Sequence, residues 1–260
     1  MLTITALPAF NDNYIWLLQN PATLACAVVD PGDAAPVLQW LQQNPQWTLT
    51  DILVTHHHRD HTGGIAALKQ ATSARVYGPQ LEAVEGIDLP LADEQCFQLL
   101  ERQVRCLHVP GHTLGHVAYY MEDEPPVLFS GDTLFMAGCG RLFEGTPLQM
   151  YQSLQRLAAL PAVTRVYCTH EYSLSNLKFA AAAEPDNPQV LEQLARVEGL
   201  RTQGRISLPG TIAQERAINP FLRCSQPAIL ATLARQNRLQ GHDPVEVFTA
   251  LRAWKDDFQA

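Results

Sequence analysis

Four histidines within six residues constrain this chain more than any other feature. They lie in Thr55-His56-His57-His58-Arg59-Asp60-His61-Thr62-Gly63-Gly64, directly after the apolar run 52–54. On an extended segment His56 and His58 point to the same side, roughly 6.5 Å apart along the chain, so both imidazoles can reach one ion. Asp60 and His61 come where the chain turns toward a predicted helix at 65–71, so they face another direction. This geometry favours two adjacent metal positions over a single tetrahedral site.

Three further ligand-type residues follow apolar strands elsewhere in the chain. His112 comes after the run 104–107, Asp132 comes after 127–129, and His170 closes the run 166–170. A lone histidine is more often a hydrogen-bonded core residue than a ligand, so His112 and His170 depend on the cluster for this interpretation. Five histidines and two aspartates suit borderline cations such as zinc or iron better than calcium. His57 is expected to point away from its neighbours.

The rest of the sequence predicts a mixed α/β region followed by a helical one. Short runs rich in Val, Ile and Tyr, bounded by Pro, Gly or Asp, indicate strands in the first two-thirds. Apolar residues at helical spacing and punctuating prolines are typical of the last third. Residues 1–170 carry 8 basic and 16 acidic side chains, whereas 171–260 carry 10 of each. We therefore predict an α+β protein, with an αββα sandwich over 1–170 and a small helical domain over 171–260.

Individual elements can be assigned from the same patterns. The predicted strands are 15–19, 25–30, 51–55, 75–77, 104–109, 117–121, 127–129 and 165–169. The predicted helices are 36–43, 65–71, 148–158, 190–200 and 245–258.

Charge and composition exclude several classes of protein. The formal net charge is -8 and no Lys or Arg precedes Arg59, which argues against a nucleic-acid surface, a secretory signal and a transit peptide. No apolar run approaches the roughly 18–20 residues of a membrane span. The six cysteines form no CxxC pair, so we interpret them as reduced thiols. We expect a cytoplasmic monomer that binds neither nucleic acid nor membranes.

The ligand pattern resembles that of the metallo-β-lactamase superfamily. This resemblance implies an αββα sandwich with two divalent metal ions along one edge, of which zinc is favoured and iron or manganese are alternatives. The seven implied ligands are His56, His58 and His112 for one ion, Asp60, His61 and His170 for the other, and Asp132 for both.

Further segments resemble the glyoxalase II (hydroxyacylglutathione hydrolase) family over essentially the whole chain. They include Asn11-Asp12-Asn13-Tyr14, Gly138-Cys139-Gly140-Arg141-Leu142-Phe143, Thr169-His170-Glu171-Tyr172 and Leu251-Arg252-Ala253-Trp254-Lys255. This resemblance implies hydrolysis of S-D-lactoylglutathione to D-lactate and glutathione, the second step of methylglyoxal detoxification. The implied substrate-binding residues are Arg141, Phe143, His170, Tyr172, Arg252 and Lys255. Some relatives carry Lys and Tyr where this chain has Arg141 and Phe143, so one polar contact of the ring is lost.

A binuclear metal site explains how a thioester can be attacked without a Ser or Cys nucleophile. Metal coordination lowers the pKa of bound water to about 7, which makes hydroxide available. Asp60 and Asp132 are the implied catalytic ligands, and Asp60 either orients the hydroxide or acts as a ligand alone. Arg252 and Lys255 share one side of a helix and suit an anionic substrate, although such cations are also ordinary at helix C-termini.

The superfamily leaves other functions open. The main alternative is a glutathione persulfide dioxygenase with a single iron, a class without the helical domain. A secreted β-lactamase is disfavoured by the missing signal and a ribonuclease by the acidic charge. A purely structural metal site fits poorly, since seven ligands on two ions leave coordination positions open to water.

Overall fold

The computed structural model describes residues 2–259, whose contacts divide them into two units. Unit 1 contains 2–108 and 114–131, and unit 2 contains 109–113 and 132–259. This division follows contacts and therefore separates the loop around His112 from its neighbours in sequence. The division at residue 170 favoured by the charge pattern stays a prediction.

Unit 1 holds ten strands and three helices. The helices are α1 (Ala35–Gln43), α2 (Arg59–Thr62) and α3 (Ile65–Thr72). The strands are β1 (Thr3–Ala9), β2 (Asn13–Asn20), β3 (Ala25–Val29), β4 (Thr48–Leu53), β5 (Arg75–Pro79), β6 (Leu89–Leu91), β7 (Cys96–Leu99), β8 (Arg102–His108), β9 (Val117–Met121) and β10 (Val127–Gly131).

The first sheet of unit 1 has the order β1-β2-β3-β4-β5-β6. Strands β1 to β3 pair antiparallel, whereas β3, β4, β5 and β6 run parallel to one another. Helices α1 and α3 cover one face, where Val37 and Leu68 pack against Ile52 and Val76. Since parallel neighbours end at the same edge, the residues that follow β3 and β4 lie close together.

The other face of this sheet packs against antiparallel strands of the same unit, paired in the order β10-β9-β8-β7. Tyr77 of β5 stacks on Phe97 of β7 with ring centroids 4.7 Å apart. The buried hydroxyl of Tyr119 in β9 donates to the carbonyl of Val54, 2.5 Å away. Two sheets with helices on an outer face are the arrangement predicted for this part of the chain.

Unit 2 is mainly helical. Its strands are β11 (Leu134–Phe135), β12 (Gly138–Cys139), β13 (Arg165–Cys168) and β14 (Gly210–Thr211). Its helices are α4 (Pro147–Ala158), α5 (Ser173–Ala183), α6 (Pro188–Thr202), α7 (Ile212–Ile218), α8 (Pro227–Arg235) and α9 (Pro244–Asp257), with a 3-10 turn at Pro220–Leu222.

Prolines and polar caps set the starts of these helices. Pro188 and Pro244 occupy first-turn positions, where a missing N–H costs nothing. Asn187 accepts from two backbone N–H groups of α6, and Asp243 forms a capping box with Glu246 at α9. The helices that the prolines predicted are therefore present.

An aromatic cluster forms the core of the helical region. Phe179 lies between Phe221 and Trp254, at ring centroid distances of 5.9 and 5.0 Å. Phe248 packs on Phe221 at 5.6 Å. Three of these four side chains are fully buried, so this cluster joins α5 and α9 in one apolar core.

The structure also bears on membrane spanning and on the state of the cysteines. Across residues 2–259, no helix is both long and apolar enough to cross a bilayer. All six cysteines, which fall within that range, are free thiols, and five of them are buried.

Candidate functional site

The histidine cluster begins just beyond the carboxyl end of β4 in unit 1. His56 Nε2 lies 3.0 Å from His58 Nδ1, and the His56 and His61 rings are 4.1 Å apart between centroids. His56 and His61 are fully buried, while His58 is half-buried at the start of α2. Strand β4 ends at Leu53, two residues before the predicted end, and beyond it Thr55 N donates to the carboxylate of Asp30.

Asp30 fixes both ends of this segment. Its buried carboxylate accepts from Thr55 N and Thr55 Oγ1, each at 2.8 Å, and lies 3.0 Å from His61 Nδ1. Because Nδ1 of His61 faces this carboxylate, Nε2 is the ring nitrogen presented to a metal. Its position directly after β3, which runs parallel to β4, brings Asp30 to the same edge as the histidine segment.

Asp60 is held by a residue from β2. Asn13 Nδ2 donates to Asp60 Oδ2 at 3.0 Å, and the same oxygen lies 3.5 Å from His61 Nε2. The carboxylate therefore faces the imidazole in a fixed orientation. The sequence contained Asn13 only as part of a family motif, without a role.

Two neighbouring histidines have other partners. His57 Nδ1 lies 2.9 Å from Glu82 Oε2, so this nitrogen contacts a carboxylate outside the cluster, although the ring still lies against that of His58 with centroids 4.9 Å apart. His116 is buried and stacks on His56 with centroids 4.7 Å apart. It supports the ring of a candidate ligand by packing.

The remaining candidate ligands lie together in unit 2. Asp132 Oδ2 is 3.5 Å from His112 Nε2 and 3.4 Å from His170 Nε2, and all three side chains are buried. His112 Nδ1 lies 2.9 Å from the carbonyl of Arg141, which directs Nε2 toward Asp132. One carboxylate between two imidazoles is a donor set that fits divalent zinc or iron.

Unit 2 also contains a cavity of about 500 Å³ beside His112 and Asp132. Five of the six predicted substrate-binding residues line it, namely Arg141, Phe143, Tyr172, Arg252 and Lys255. The sixth, His170, stacks face to face on Tyr172 with centroids 4.6 Å apart. Residues that the sequence did not single out complete the lining, including Phe135, Cys139, Ser175, Asn176, Asp256 and Phe258.

The three cations of this cavity are held differently. Arg252 is only 6% exposed, and its Nη1 and Nη2 donate to Cys139 O and Asp256 Oδ1, both at 2.9 Å. Arg141 is exposed, with its Nε 3.7 Å from the same Asp256 oxygen. Lys255 Nζ donates to Ser175 Oγ at 3.0 Å. The sequence placed Arg252 and Lys255 on one helix side, but not at these different depths.

Burial alters the protonation of Lys255. Desolvation, followed by the charges of Arg252 and Arg141, lowers the pKa of Lys255 to about 8. The opposite charge of Asp256 offsets only part of this effect. The lysine is therefore cationic at neutral pH and loses its charge in mildly alkaline solution.

Comparison with known proteins supplies the family. The model of the metallo-beta-lactamase superfamily matches residues 10–170, and that of the hydroxyacylglutathione hydrolase C-terminus matches residues 171–258. A hydroxyacylglutathione hydrolase of Ectopseudomonas mendocina (strain ymp) is 58% identical over 258 residues, covering 99% of this chain and 100% of that protein. The chain belongs to the hydroxyacylglutathione hydrolase family. It is thus an enzyme with a metallo-beta-lactamase domain and a C-terminal helical domain, which confirms the predicted fold class.

Solved structures agree with this fold. TTHA1623 in a di-iron-bound form aligns with a TM-score of 0.59 and 26% identity, over 85% of this chain and 100% of that one. ETHE1 from Myxococcus xanthus aligns with a TM-score of 0.66 over 98% of each chain, at 24% identity. At 24% identity, the similarity to ETHE1 supports the fold alone. The activity of this chain follows from its membership of the hydroxyacylglutathione hydrolase family.

Proposed function

We propose that this enzyme hydrolyses S-(2-hydroxyacyl)glutathione, with S-D-lactoylglutathione as its main substrate, to D-lactate and glutathione in methylglyoxal detoxification. One observation carries the proposal. The cavity of unit 2 is lined both by two metal-ligand side chains, His112 and Asp132, and by three cations, Arg141, Arg252 and Lys255. A glutathione thioester needs both, because its carboxylates require cations while its carbonyl oxygen requires a Lewis acid that makes the acyl carbon more electrophilic.

The proposed metal site contains two divalent ions. The seven proposed ligands are His56, His58 and His112 for one ion, Asp60, His61 and His170 for the other, and Asp132 for both. The family resemblance and the outward nitrogens of His61 and His112 support this assignment. We favour zinc, with iron or manganese as alternatives. When bound, such ions supply Lewis acidity and lower the pKa of water.

Hydrolysis forms a carbon–oxygen bond from water to the acyl carbon and breaks the carbon–sulfur bond. The products are a hydroxy acid and the glutathione thiol, so no oxidant or reductant is consumed. Asp60, oriented by Asn13, can accept a hydrogen bond from the attacking water. Asp132, fixed between His112 and His170, adds negative charge that balances the proposed metal ions.

The cavity residues hold and orient the substrate. Arg141 and Lys255 are proposed to bind the carboxylates of glutathione, since both cations reach the cavity. Tyr172 stacks on His170, so its ring forms a wall beside the reacting carbonyl. Phe143 is 62% exposed and packs edge-on against His112 with centroids 5.2 Å apart. It gives an apolar surface to the thioester arm without a hydroxyl contact.

Release of glutathione from S-D-lactoylglutathione by purified full-length protein tests this function directly. We expect turnover without oxygen consumption. Oxygen uptake with glutathione persulfide, without thioester cleavage, would instead support the single-iron dioxygenase. Metal-stripped protein that retains full thioester turnover would contradict the proposal.

Alkaline solution is expected to weaken substrate binding through Lys255. Because its pKa is about 8, the cationic fraction falls about tenfold between pH 7 and pH 9, and KM should rise by up to that factor. Steady-state kinetics across this range measure the effect. The matched variant Lys255→Arg keeps its charge, so its KM should stay nearly flat. An identical rise in both proteins would assign the titration to another group.

Loss of two cavity cations is expected to raise KM much more than loss of a cation elsewhere. Arg252→Ala combined with Lys255→Ala should raise KM about 10- to 100-fold, the effect of losing one charged hydrogen bond to the substrate worth roughly 1.5–3 kcal/mol. Arg235→Ala, which removes a helix cation outside the cavity lining, is the control. Because Arg252 also holds Cys139, thermal unfolding must be measured alongside. An unchanged KM would exclude these two residues from substrate binding.

The remaining expectations concern the domain boundaries, the cellular location and the oligomeric state. We propose residues 1–170 as the catalytic domain and 171–260 as the substrate-binding domain, supported by the meeting of the two family models at residues 170 and 171. We also propose a cytoplasmic monomer, and the free, mostly buried thiols support the cytoplasmic location. Cell fractionation and sedimentation test these two points.

A further inference from the structure

Several side chains of the helical region bind the turn between β11 and β12. The hairpin spans residues 134–139, and all of its residues are buried. Ala137 has a φ of 53°, a conformation that non-glycine residues rarely adopt. Asn176 Nδ2 donates to the carbonyl of Met136 at 3.2 Å, and Arg252 binds that of Cys139. Such a turn needs external partners because two short strands supply few of their own.

Asn219, which follows α7, contacts the backbone of the hairpin. It is fully buried, and its Nδ2 lies 3.3 Å from Phe135 O and 2.9 Å from Gly138 O. Its Oδ1 accepts from Phe221 N at 3.1 Å, which fixes the amide orientation. One amide group thus satisfies carbonyls from both strands of the hairpin.

Glu215 completes this arrangement. Its side chain is 1% exposed, and Oε2 accepts from Ala137 N at 2.8 Å and from Asn219 Nδ2 at 3.0 Å. Burial raises the pKa of Glu215 to about 8, so it serves at neutral pH as an uncharged acceptor. Glutamine has the same shape and acceptor as this neutral acid.

The hairpin leads directly to two candidate metal ligands. A Cβ added at Gly140 would lie 2.0 Å from Asp132 O and 3.0 Å from His112 Nδ1, so the backbone contacts both residues closely. The next carbonyl, that of Arg141, lies 2.9 Å from His112 Nδ1. A shift of the hairpin must therefore move the group that orients the His112 ring.

We propose that Asn219 and Glu215 are positioning residues for the metal site. They hold hairpin 134–139, and through Gly140 and the Arg141 carbonyl they fix His112. The helical region thereby acts on metal binding as well as on substrate binding. This inference rests on the proposed function only in taking His112 and Asp132 as metal ligands.

Zinc affinity of the full-length protein, measured by competition with a chromophoric chelator, tests this inference. We expect Asn219→Ala to weaken zinc binding about 10- to 100-fold, the range for residues that orient metal ligands. Its kcat at limiting zinc should fall accordingly. Glu215→Gln is the conservative control and should bind zinc like the native protein.

Circular dichroism melts separate positioning from folding. If Asn219→Ala does not fold, Asn219→Ser, which keeps one donor, is read in the same way. A folded variant with native zinc affinity and only a lower Tm would overturn the inference, as would a Glu215→Gln variant as impaired as Asn219→Ala. Native protein that binds zinc without cleaving the thioester would contradict the proposed function alone.

Discussion

Replacing Asp132 with alanine is expected to lower kcat/KM for S-D-lactoylglutathione by about 10³-fold or more. Its buried carboxylate lies between His112 and His170 and lines the cavity of unit 2. The loss removes a proposed ligand of both ions together with its charge. His58→Ala is also expected to lower kcat/KM, although it removes a proposed ligand of only one of the two ions.

A matched control for both variants is His57→Gln. This residue is a sequence neighbour of the cluster, but its ring faces Glu82, and glutamine can still donate to that carboxylate. Its kcat/KM should stay within about twofold of the native value. Circular dichroism and elemental analysis of each variant complete the test. Full activity in a folded Asp132→Ala protein would remove Asp132 from the site.

Removal of metal is expected to abolish hydrolysis reversibly. The chain offers no Ser or Cys nucleophile in the proposed mechanism, and the cavity thiol Cys139 has a pKa raised to about 11 by burial. Dialysis against a chelator should reduce turnover to below about 1% of the loaded protein. Addition of zinc, iron or manganese singly, followed by elemental analysis, then shows which metal restores activity.

The stoichiometry of that reconstitution is informative by itself. Two equivalents of metal per chain are expected at full activity. A plateau at one equivalent would contradict the assignment of two ions. If only iron restored activity, and that activity were oxygen uptake with glutathione persulfide, the assignment as a thioester hydrolase would be wrong.

The local parts of the site were predictable because sequence spacing fixes local geometry. His56 and His58 were expected on one side of an extended segment, and their ring nitrogens lie 3.0 Å apart. The contact of His57 with Glu82 could not be predicted from this spacing, because residues 56 and 57 form a bend instead of continuing the strand. The helices that begin at Pro188 and Pro244 were predictable for a similar reason, since proline is favoured in a first helical turn.

Several elements lacked a usable pattern. Strand β1 is only partly buried, and β6, β11, β12 and β14 have two or three residues, too few for a period-two alternation to be recognised. The helical spacing of Arg252 and Lys255 gave their shared side of α9. It could not give their depth, which depends on Cys139, Asp256 and Ser175.

The sequence by itself determined the ligand types, their spacing and the family, because each is encoded in short contiguous motifs. Only the tertiary structure decided what orients those ligands. Asp30 reaches His61 across 31 residues, and Asn219 reaches Gly138 across 81. Such contacts arise when parallel strands end at one edge of a sheet, or when the end of a helix packs against a hairpin. Neither arrangement leaves a periodic trace in the chain, since hydrogen bonds between distant residues depend on packing and not on spacing.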